Sequence, residues 1–147
     1  MKIVVQRVAG AECVVNGVTS GKIDRGLLVF VGVEQDDTER DLLKAAEKIT
    51  GMRIFKDQNG KISLSTADVG GGVLVISNFT LCGSVKRGRR PDFTAAADAE
   101  KAREYYEKLI ELIGQKLPVQ TGVFGASMKI TALNDGPVTM IINTKEL

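Results

Sequence analysis

The sequence contains no histidine. This absence excludes the Ser-His-Asp and Cys-His arrangements of nucleophilic catalysis, and it removes the commonest ligand of transition metals. Any hydrolytic chemistry of this chain must therefore use backbone amides, hydroxyls, carboxylates, lysine or groups of the substrate itself. We expect a site that works without a cofactor and without a bound metal.

Cysteine is nearly as scarce, since the chain has only Cys13 and Cys82. The two residues lie far apart and form no Cys-x-x-Cys motif, so the sequence predicts buried free thiols rather than a metal site. No apolar run approaches the roughly 20 residues that cross a bilayer. A strand pattern begins at residue 2 and leaves no room for a signal peptide, so we expect a cytoplasmic protein without a membrane partner.

An excess of charge of one sign is also missing, because the net charge is only +2. That value alone does not indicate a nucleic-acid-binding protein, but the cations are unevenly distributed. Lys86, Arg87, Arg89 and Arg90 fall within five positions. This cluster is either a solvated loop or a surface for phosphates. The length of 147 residues fits a single domain, 1–147, with one well-formed core.

The sequence does contain many short aliphatic runs separated by turn residues, with two helical patterns between them. The pattern contains few helices and many strands, so the predicted fold class is α/β of the α+β kind. We expect mixed, mostly antiparallel sheets packed face to face, with two main helices on one side, giving three layers. Strands are predicted at 2–8, 12–15, 18–23, 26–33, 52–55, 61–64, 73–81, 119–121, 128–134 and 138–143, and helices at 38–51 and 98–113.

The stretch 73–81 is the most informative of these runs. Four aliphatic residues predict a strand buried on both faces, and Ser77, Asn78 and Thr80 then alternate with Phe79 and Leu81. Such a strand can deliver polar groups to the mouth of a cavity on a rigid support. A core strand that is merely capped by small polar residues is the alternative interpretation.

Six short segments stand in a defined order along nearly the whole chain. They are Val-Gln-Arg-Val at 5–8, Arg-Ile-Phe at 53–55, Ser-Asn-Phe-Thr-Leu at 77–81, Gly-Arg-Arg-Pro at 88–91, Thr-Gly-Val-Phe-Gly-Ala-Ser-Met at 121–128 and Asn-Asp-Gly-Pro-Val-Thr at 134–139. Together they resemble the D-aminoacyl-tRNA deacylase family, the D-tyrosyl-tRNA deacylases. The resemblance implies a homodimer that hydrolyses the ester between a D-amino acid and the 3′-terminal adenosine of tRNA.

The resemblance also implies the site residues. It assigns the catalytic segment to Ser77, Asn78, Phe79 and Thr80, although the family usually has glutamine where Asn78 stands. This departure leaves a shifted amino-acid preference open. A Gly–cis-Pro pair reaches into the other subunit's site and rejects L-amino acids by exclusion, so glycine on tRNA(Ala) passes this filter. The pair corresponds to Gly136 and Pro137, and the residues expected to support it are Arg7, Asp135 and Thr139.

Two further groups are expected to hold the tRNA. Aromatic side chains stack on unpaired bases, and basic side chains contact phosphates, although core packing and a solvated loop are the rival interpretations. The candidates are Phe93, Lys86, Arg87, Arg89, Arg90, Phe124, Gly125, Ala126 and Met128.

The predicted chemistry uses the substrate. An aminoacyl ester is already activated, and the neighbouring ribose hydroxyl assists water while the backbone amides of Phe79 and Thr80 bind the oxyanion. Thr80 as a nucleophile is less favoured, because no base is evident to accept its proton. The alternatives from other classes are a non-catalytic RNA-binding dimer and a dimeric scaffold in which Gly136 and Pro137 only form a turn at the interface.

Overall fold

The structure is a computed structural model that describes residues Met1–Leu147, and it confirms an α+β fold with two α-helices and a sheet that dominates the chain. None of the helices is long and apolar enough to cross a membrane. Two short 3₁₀ helices span Phe79–Cys82 and Thr144–Glu146. The other elements are β1 Lys2–Val15, β2 Val18–Ile23, β3 Gly26–Gly32, α1 Glu39–Gly51, β4 Phe55–Lys56, β5 Ile62–Leu64, β6 Gly72–Ser77, α2 Ala99–Gly114, β7 Val119–Thr121 and β8 Lys129–Asn143.

Six strands form one mixed sheet around β1, in the order β2-β1-β3-β6-β7 with β8 also paired to β1, while β4 and β5 pair separately. The strands β2, β3 and β8 run antiparallel to β1, whereas β3-β6 and β6-β7 are parallel. At the far end β2 approaches β7 so closely that a Cβ on Gly21 would lie 2.5 Å from the Thr121 carbonyl oxygen. The sheet therefore curls towards a barrel.

Both faces of this curled sheet are buried. Along β3 the side chains of Leu27, Val29 and Val31 join a cluster of 20 buried residues that includes the apolar faces of α1 and α2. The intervening Leu28 joins a second cluster of seven buried residues inside the curl of the sheet. Because successive strand residues point to opposite faces, the continuous apolar run predicted for this strand matches a strand covered on both sides.

Both helices begin at polar caps, close to the predicted starts at 38 and 98. In α1 the Asp41 carboxylate accepts hydrogen bonds from the Thr38 amide at 3.0 Å and from the Thr38 hydroxyl at 2.8 Å. In α2 the Asp98 carboxylate accepts a bond from the Lys101 amide at 2.9 Å. These caps direct the apolar stripe of each helix towards the sheet and place the start of α2 beside the carboxyl ends of β3 and β6.

Four predictions of strand bounds are wrong. The two strands predicted at 2–8 and 12–15 are one strand, β1, because β8 pairs with it from Lys2 to Val14. The strand predicted at 52–55 is reduced to Phe55–Lys56. The strand predicted at 73–81 ends at Ser77, and Phe79–Cys82 is a 3₁₀ helix. The reason is close packing at Gly32, where a Cβ would lie 3.0 Å from the Cys82 Sγ atom and 3.1 Å from the Asn78 carbonyl oxygen. The two strands predicted at 128–134 and 138–143 are one strand, β8, which follows β1 and bulges opposite Arg7.

Candidate active site

The largest cavity of the protein lies where β3 and β6 end, and its volume is about 400 Å³. The start of α2 and the segment 124–128 form its remaining walls. This arrangement follows from the parallel pairing of β3 with β6, which brings their carboxyl ends to the same edge of the sheet. The lining residues are Val31, Val33, Ser77, Asn78, Phe79, Ala97, Ala99, Ala102, Phe124, Gly125, Ala126 and Met128.

The polar part of the lining comes from the turn after β6. The Asn78 amide donates to the Val31 carbonyl at 2.7 Å, which holds the turn against the end of β3. The Thr80 hydroxyl donates to the Asn78 side-chain oxygen at 2.5 Å. The amides of Phe79 and Thr80 are the first of the 3₁₀ helix, and amides in these positions have no partner within their own helix. Two neighbouring backbone donors therefore lie in this turn, and one of them belongs to Phe79, which lines the cavity.

Two aromatic pairs lie at the cavity, each through one ring that lines it, Phe79 or Phe124. The rings of Phe79 and Phe93 meet edge to face with centroids 5.2 Å apart, and both rings are partly exposed. Phe124 packs against Tyr106 with centroids 5.8 Å apart, and the Arg103 guanidinium lies 4.7 Å from the centroid of the Phe124 ring. The cavity thus offers aromatic surface to a flat apolar group.

Tyr106 links Phe124 to β6, the strand that precedes the turn. Its hydroxyl donates to the Val75 carbonyl of β6 at 2.8 Å, and the side chain is buried. Burial raises the pKa of Tyr106 above its ordinary value, so the hydroxyl stays protonated and remains a donor. Tyr106 is therefore a structural link and not a proton donor for chemistry.

No lining residue carries an ionisable side chain. The walls that this chain contributes therefore offer no ionisable side chain as a general acid or base. A separate group of carboxylates, Glu34, Asp36 and Asp37, lies close enough together to hold a cation. It already contacts ammonium groups, since the amino group of Met1 donates to Asp37 at 2.5 Å and the Lys145 ammonium lies 3.3 Å from the same carboxylate.

A second predicted group lies elsewhere, in the bulge of β8. Arg7 is 3 % exposed, and its guanidinium donates to the Asp135 carbonyl at 2.9 Å and to the Ile54 carbonyl at 2.6 Å. The Gly136–Pro137 peptide bond is cis, and Gly136 has a φ of 136°. Thr139 lies beyond the bulge, with its hydroxyl 3.5 Å from the Gln6 side-chain nitrogen.

Within one protomer this bulge and the cavity are separate. The bulge is opposite Arg7, which pairs with Leu27 of β3, and Leu27 pairs with Val73 of β6. It is therefore three strands across the sheet and about four residues along it from Ser77, a distance on the order of 20 Å. A single chain does not bring the two predicted groups together.

The basic cluster occupies an exposed loop beside the Phe79 and Phe93 wall. Backbone hydrogen bonds of 2.8 Å in both directions between Ser84 and Asp92 close the loop. Its four cations project into solvent and make no ion pair. These residues are Lys86, Arg87, Arg89 and Arg90.

Several residues of the cavity were not predicted from the sequence. Val31, Val33 and the alanines of the α2 start look like ordinary core or helix residues, and only the packing of α2 against the strand ends brings them to the cavity. Arg103 gives no sequence signal either. In contrast, the segment 77–79 and the segment 124–128 were both predicted, and the structure brings them together in one cavity.

Comparisons with known proteins agree with this arrangement. The chain is 50% identical over 148 residues to a D-aminoacyl-tRNA deacylase of Thermotoga petrophila (100% of this chain and 99% of that protein), and 52% identical over 147 residues to one of Koribacter versatilis (99% of each). Among solved structures it resembles a c-Myc DNA unwinding element binding protein with a TM-score of 0.92 and 37% identity, covering 97% of this chain and 98% of that one.

A probable eukaryotic D-amino acid tRNA deacylase shares the fold with a TM-score of 0.82 at 16% identity, covering 96% of this chain and 97% of that one. The family model described as D-Tyr-tRNA(Tyr) deacylase matches residues 4–143, which include both the cavity and the bulge of β8. On this match and the full-length identity to curated relatives, the chain belongs to the D-aminoacyl-tRNA deacylase family.

Proposed function

We propose that this protein hydrolyses the ester bond of D-aminoacyl-tRNAs and releases the free D-amino acid and tRNA. The observation that carries the proposal is the position of the segment 77–79, which resembles the family's catalytic segment and lines the largest cavity. Full-length identity of about one half to proteins named as D-aminoacyl-tRNA deacylases supports the same substrate class. D-Tyr-tRNA is the reference substrate, and glycine mischarged on tRNA(Ala) is a second candidate.

The chemistry proposed is assisted by the substrate. The amides of Phe79 and Thr80 stabilise the oxyanion that forms when water attacks the ester carbonyl, and one such donor contributes roughly 3–4 kcal/mol. The ribose hydroxyl next to the ester moves the proton, because no side chain of the cavity titrates near neutral pH. Ser77 contributes a half-buried hydroxyl at the cavity wall. No cofactor or metal takes part.

Asn78 and Thr80 are assigned positioning roles. The Thr80 hydroxyl donates its proton to the Asn78 side-chain oxygen, and an amide oxygen is too weak a base to activate a nucleophile. The pair therefore fixes the turn that presents the two backbone amides. Asparagine in place of the family's usual glutamine keeps this bond within the turn, and a shifted amino-acid preference is the alternative consequence.

The terminal adenosine binds in the cavity, against its aromatic side chains. Phe79 and its neighbour Phe93 offer exposed ring surface, and Phe124, Gly125, Ala126 and Met128 form another part of the lining. The exposed cations of the loop 86–90 contact phosphates of the acceptor stem. These contacts are weakened by salt, because each phosphate contact releases condensed counterions.

We further propose a homodimer in which the Gly136–Pro137 bulge of one protomer completes the cavity of the other. Three observations support this arrangement. The bulge is on the order of 20 Å from the cavity of its own chain, the outer edge of β8 has no partner strand, and β8 exposes apolar side chains. Leu133 is 68%, Met140 44% and Ile141 81% exposed. An unpaired apolar edge strand is a surface that favours association.

In this arrangement rigid backbone selects the chirality. The carbonyls of Gly136 and Pro137 face the α-carbon, an L side chain collides with them, and a D side chain points outward. Arg7, through Asp135, and Thr139 support the bulge. Such exclusion tolerates many D side chains and admits glycine.

Three further proposals concern the domain, the layers of the fold and the location of the protein. Residues 1–147 form one deacylase domain. The curled sheet folds over itself and forms three layers with the two helices. The protein acts in the cytoplasm, where aminoacyl-tRNAs are made.

The test is the release of tyrosine from D-Tyr-tRNA and from L-Tyr-tRNA by the purified protein. We expect rapid release from the D substrate only. Release from neither substrate, with tRNA still bound, would instead support the non-catalytic RNA-binding dimer.

The chirality filter is tested with Gly136→Ala. The added Cβ would lie 2.8 Å from the Val138 amide nitrogen and 3.1 Å from an Arg7 nitrogen, at a φ of 136° that an L side chain rarely adopts. We expect lost D activity or a smaller D/L ratio. Gly60→Ala is the matched control, because Gly60 also has a positive φ but no atom within 4 Å of an added Cβ. An unchanged D/L ratio in Gly136→Ala would contradict the filter.

A further inference from the structure

We propose that Arg103 binds the phosphate that joins the terminal adenosine of the substrate to the preceding nucleotide. The inference rests on the proposed function, and it assigns a role to a residue outside the sequence motifs of this chain. Arg103 is exposed on α2, and its guanidinium lies 4.7 Å from the centroid of the Phe124 ring, which is a wall of the cavity.

The position of the reacting ester decides where this phosphate lies. The ester is attached at one end of the ribose and the 5′-phosphate at the other end. If the ester carbonyl is at the amides of Phe79 and Thr80, the 5′ side of the ribose points away from them. Phe124, from a different segment of the chain, also lines the cavity, and the Arg103 guanidinium lies 4.7 Å from the centroid of its ring. A phosphate that leaves the cavity on that side meets the guanidinium.

The charges around the cavity leave few other partners for this phosphate. None of the twelve lining residues is charged. Lys101 is on the same helix, but its ammonium already donates to the carbonyls of Gln35 at 2.6 Å and Asp37 at 2.7 Å. The loop 86–90 adjoins Phe93, whose ring packs on Phe79. In this proposal its cations contact other phosphates of the acceptor stem.

Arg103 itself is available for a ligand. It makes no ion pair, although Glu100 and Glu107 are three and four residues away on the same helix. Stacking on Phe124 restrains the side chain while its N–H donors remain exposed. A guanidinium held in this way is suited to bidentate hydrogen bonds with a phosphate.

The experiment compares substrates that differ only in the phosphate. Tyrosine release is measured from D-Tyr-tRNA, from D-tyrosyl-adenosine, and from D-tyrosyl-adenosine carrying a 5′-phosphate methyl ester. For Arg103→Met we expect kcat/KM to fall on the order of ten-fold on the two substrates with the phosphate, through KM, and to stay unchanged on the nucleoside. Arg103→Lys, which keeps the charge but not the planar fork, should lie between the two.

Two further measurements separate phosphate binding from a packing role. The slope of log kcat/KM against log salt for D-Tyr-tRNA should become shallower by about 0.7 in Arg103→Met. The wild-type protein should bind adenosine 5′-phosphate more tightly than adenosine, and the variant should lose that preference. Arg40→Met is the matched control, because Arg40 is exposed on α1 and does not line the cavity. It should leave all these values unchanged.

The outcomes are distinct. An equal loss on the nucleoside and on the phosphate-bearing substrates would show that Arg103 only holds Phe124 in place, and it would overturn the proposal. No loss on any substrate would overturn it as well. If the wild-type protein releases tyrosine from none of the three D substrates, the proposed function fails and this inference fails with it.

Discussion

Replacing Arg7 by methionine tests the link between the core and the bulge of β8. Arg7 is 3 % exposed, and its two hydrogen bonds to backbone carbonyls, at 2.6 and 2.9 Å, join Ile54 to Asp135. Its Nε atom also lies 3.5 Å from the Asp135 carboxylate, which is half exposed. Methionine fills most of the volume but offers no donor, so both carbonyls lose their partner.

The magnitude follows from these contacts. Hydrogen bonds from a charged group contribute about 1.5–3 kcal/mol each, and the exposed ion pair with Asp135 adds at most about 1 kcal/mol. Part of the loss is offset, because burying methionine costs less than burying a guanidinium. We therefore expect Arg7→Met to lower the free energy of unfolding by about 3 kcal/mol. The D/L ratio should also fall, since the bulge loses its support.

The assay is urea unfolding at one protein concentration, because the stability of the proposed dimer depends on protomer concentration. Arg53→Met is the matched control: the Arg53 Nε atom also donates to a backbone carbonyl, that of Ser63 at 2.5 Å, but the side chain is exposed. Its loss should stay below about 1 kcal/mol. Equal losses in the two variants would refute the reasoning, because burial would then make no difference to the contact.

Three further predictions concern single groups. Thr80→Ala should keep most of the turnover of D-Tyr-tRNA, since the Thr80 hydroxyl faces Asn78 and no base; loss of all turnover, or an acyl-enzyme trapped on Thr80, would contradict this. Burial alone would raise the pKa of Asp41, but hydrogen bonds from Thr38, Thr144 and Lys145 outweigh it and hold that pKa well below its ordinary value. Its stabilising effect is therefore complete above about pH 4 and declines as the pH falls towards the lower folded pKa, so Asp41→Asn should unfold in urea with a weaker dependence on pH between about 4 and 2. Burial, and then the nearby Glu34, raise the pKa of Cys82 to about 11, so a thiol reagent at pH 8 should label it only after unfolding.

Local sequence patterns predict much of the fold correctly. The starts of the helices predicted at 38 and 98, the continuous apolar run at 26–33 and the buried free thiols of Cys13 and Cys82 all agree with the structure. Each depends on residues near one another in the chain, such as a carboxylate three positions after a hydroxyl. Patterns of this kind are decided by local geometry and by burial, which the sequence displays directly.

The errors occur where contacts between distant segments of the chain determine the local structure. The segment 134–137 has the residues of a hairpin turn, but β8 continues past it, because β1 offers a partner along its whole length and Arg7 holds the Asp135 carbonyl. The alternation at 77–81 is typical of a strand. It becomes a 3₁₀ turn, because Gly32 lets the chain pack closely against the end of β3. Neither contact is visible in the local sequence.

In the candidate site, too, local motifs were predicted and residues placed by distant contacts were not. The turn residues 77–79 and the segment 124–128 carry motifs, whereas the start of α2 supplies only alanines to the cavity, and alanine in a helix gives no signal of function. Small side chains there occupy little of the space at the cavity. A role that consists of leaving space is visible only once the helix is placed against the strands.

The absence of histidine and the uncharged cavity have one common consequence. If no side chain in the cavity accepts a proton, catalysis depends on the placement of main-chain groups. Placement in turn depends on the bonds that fix the turn, from Asn78 to Val31 and from Thr80 to Asn78. In the proposed mechanism position 78 only holds the backbone donors in place, so an amide side chain one methylene shorter than glutamine is compatible with it.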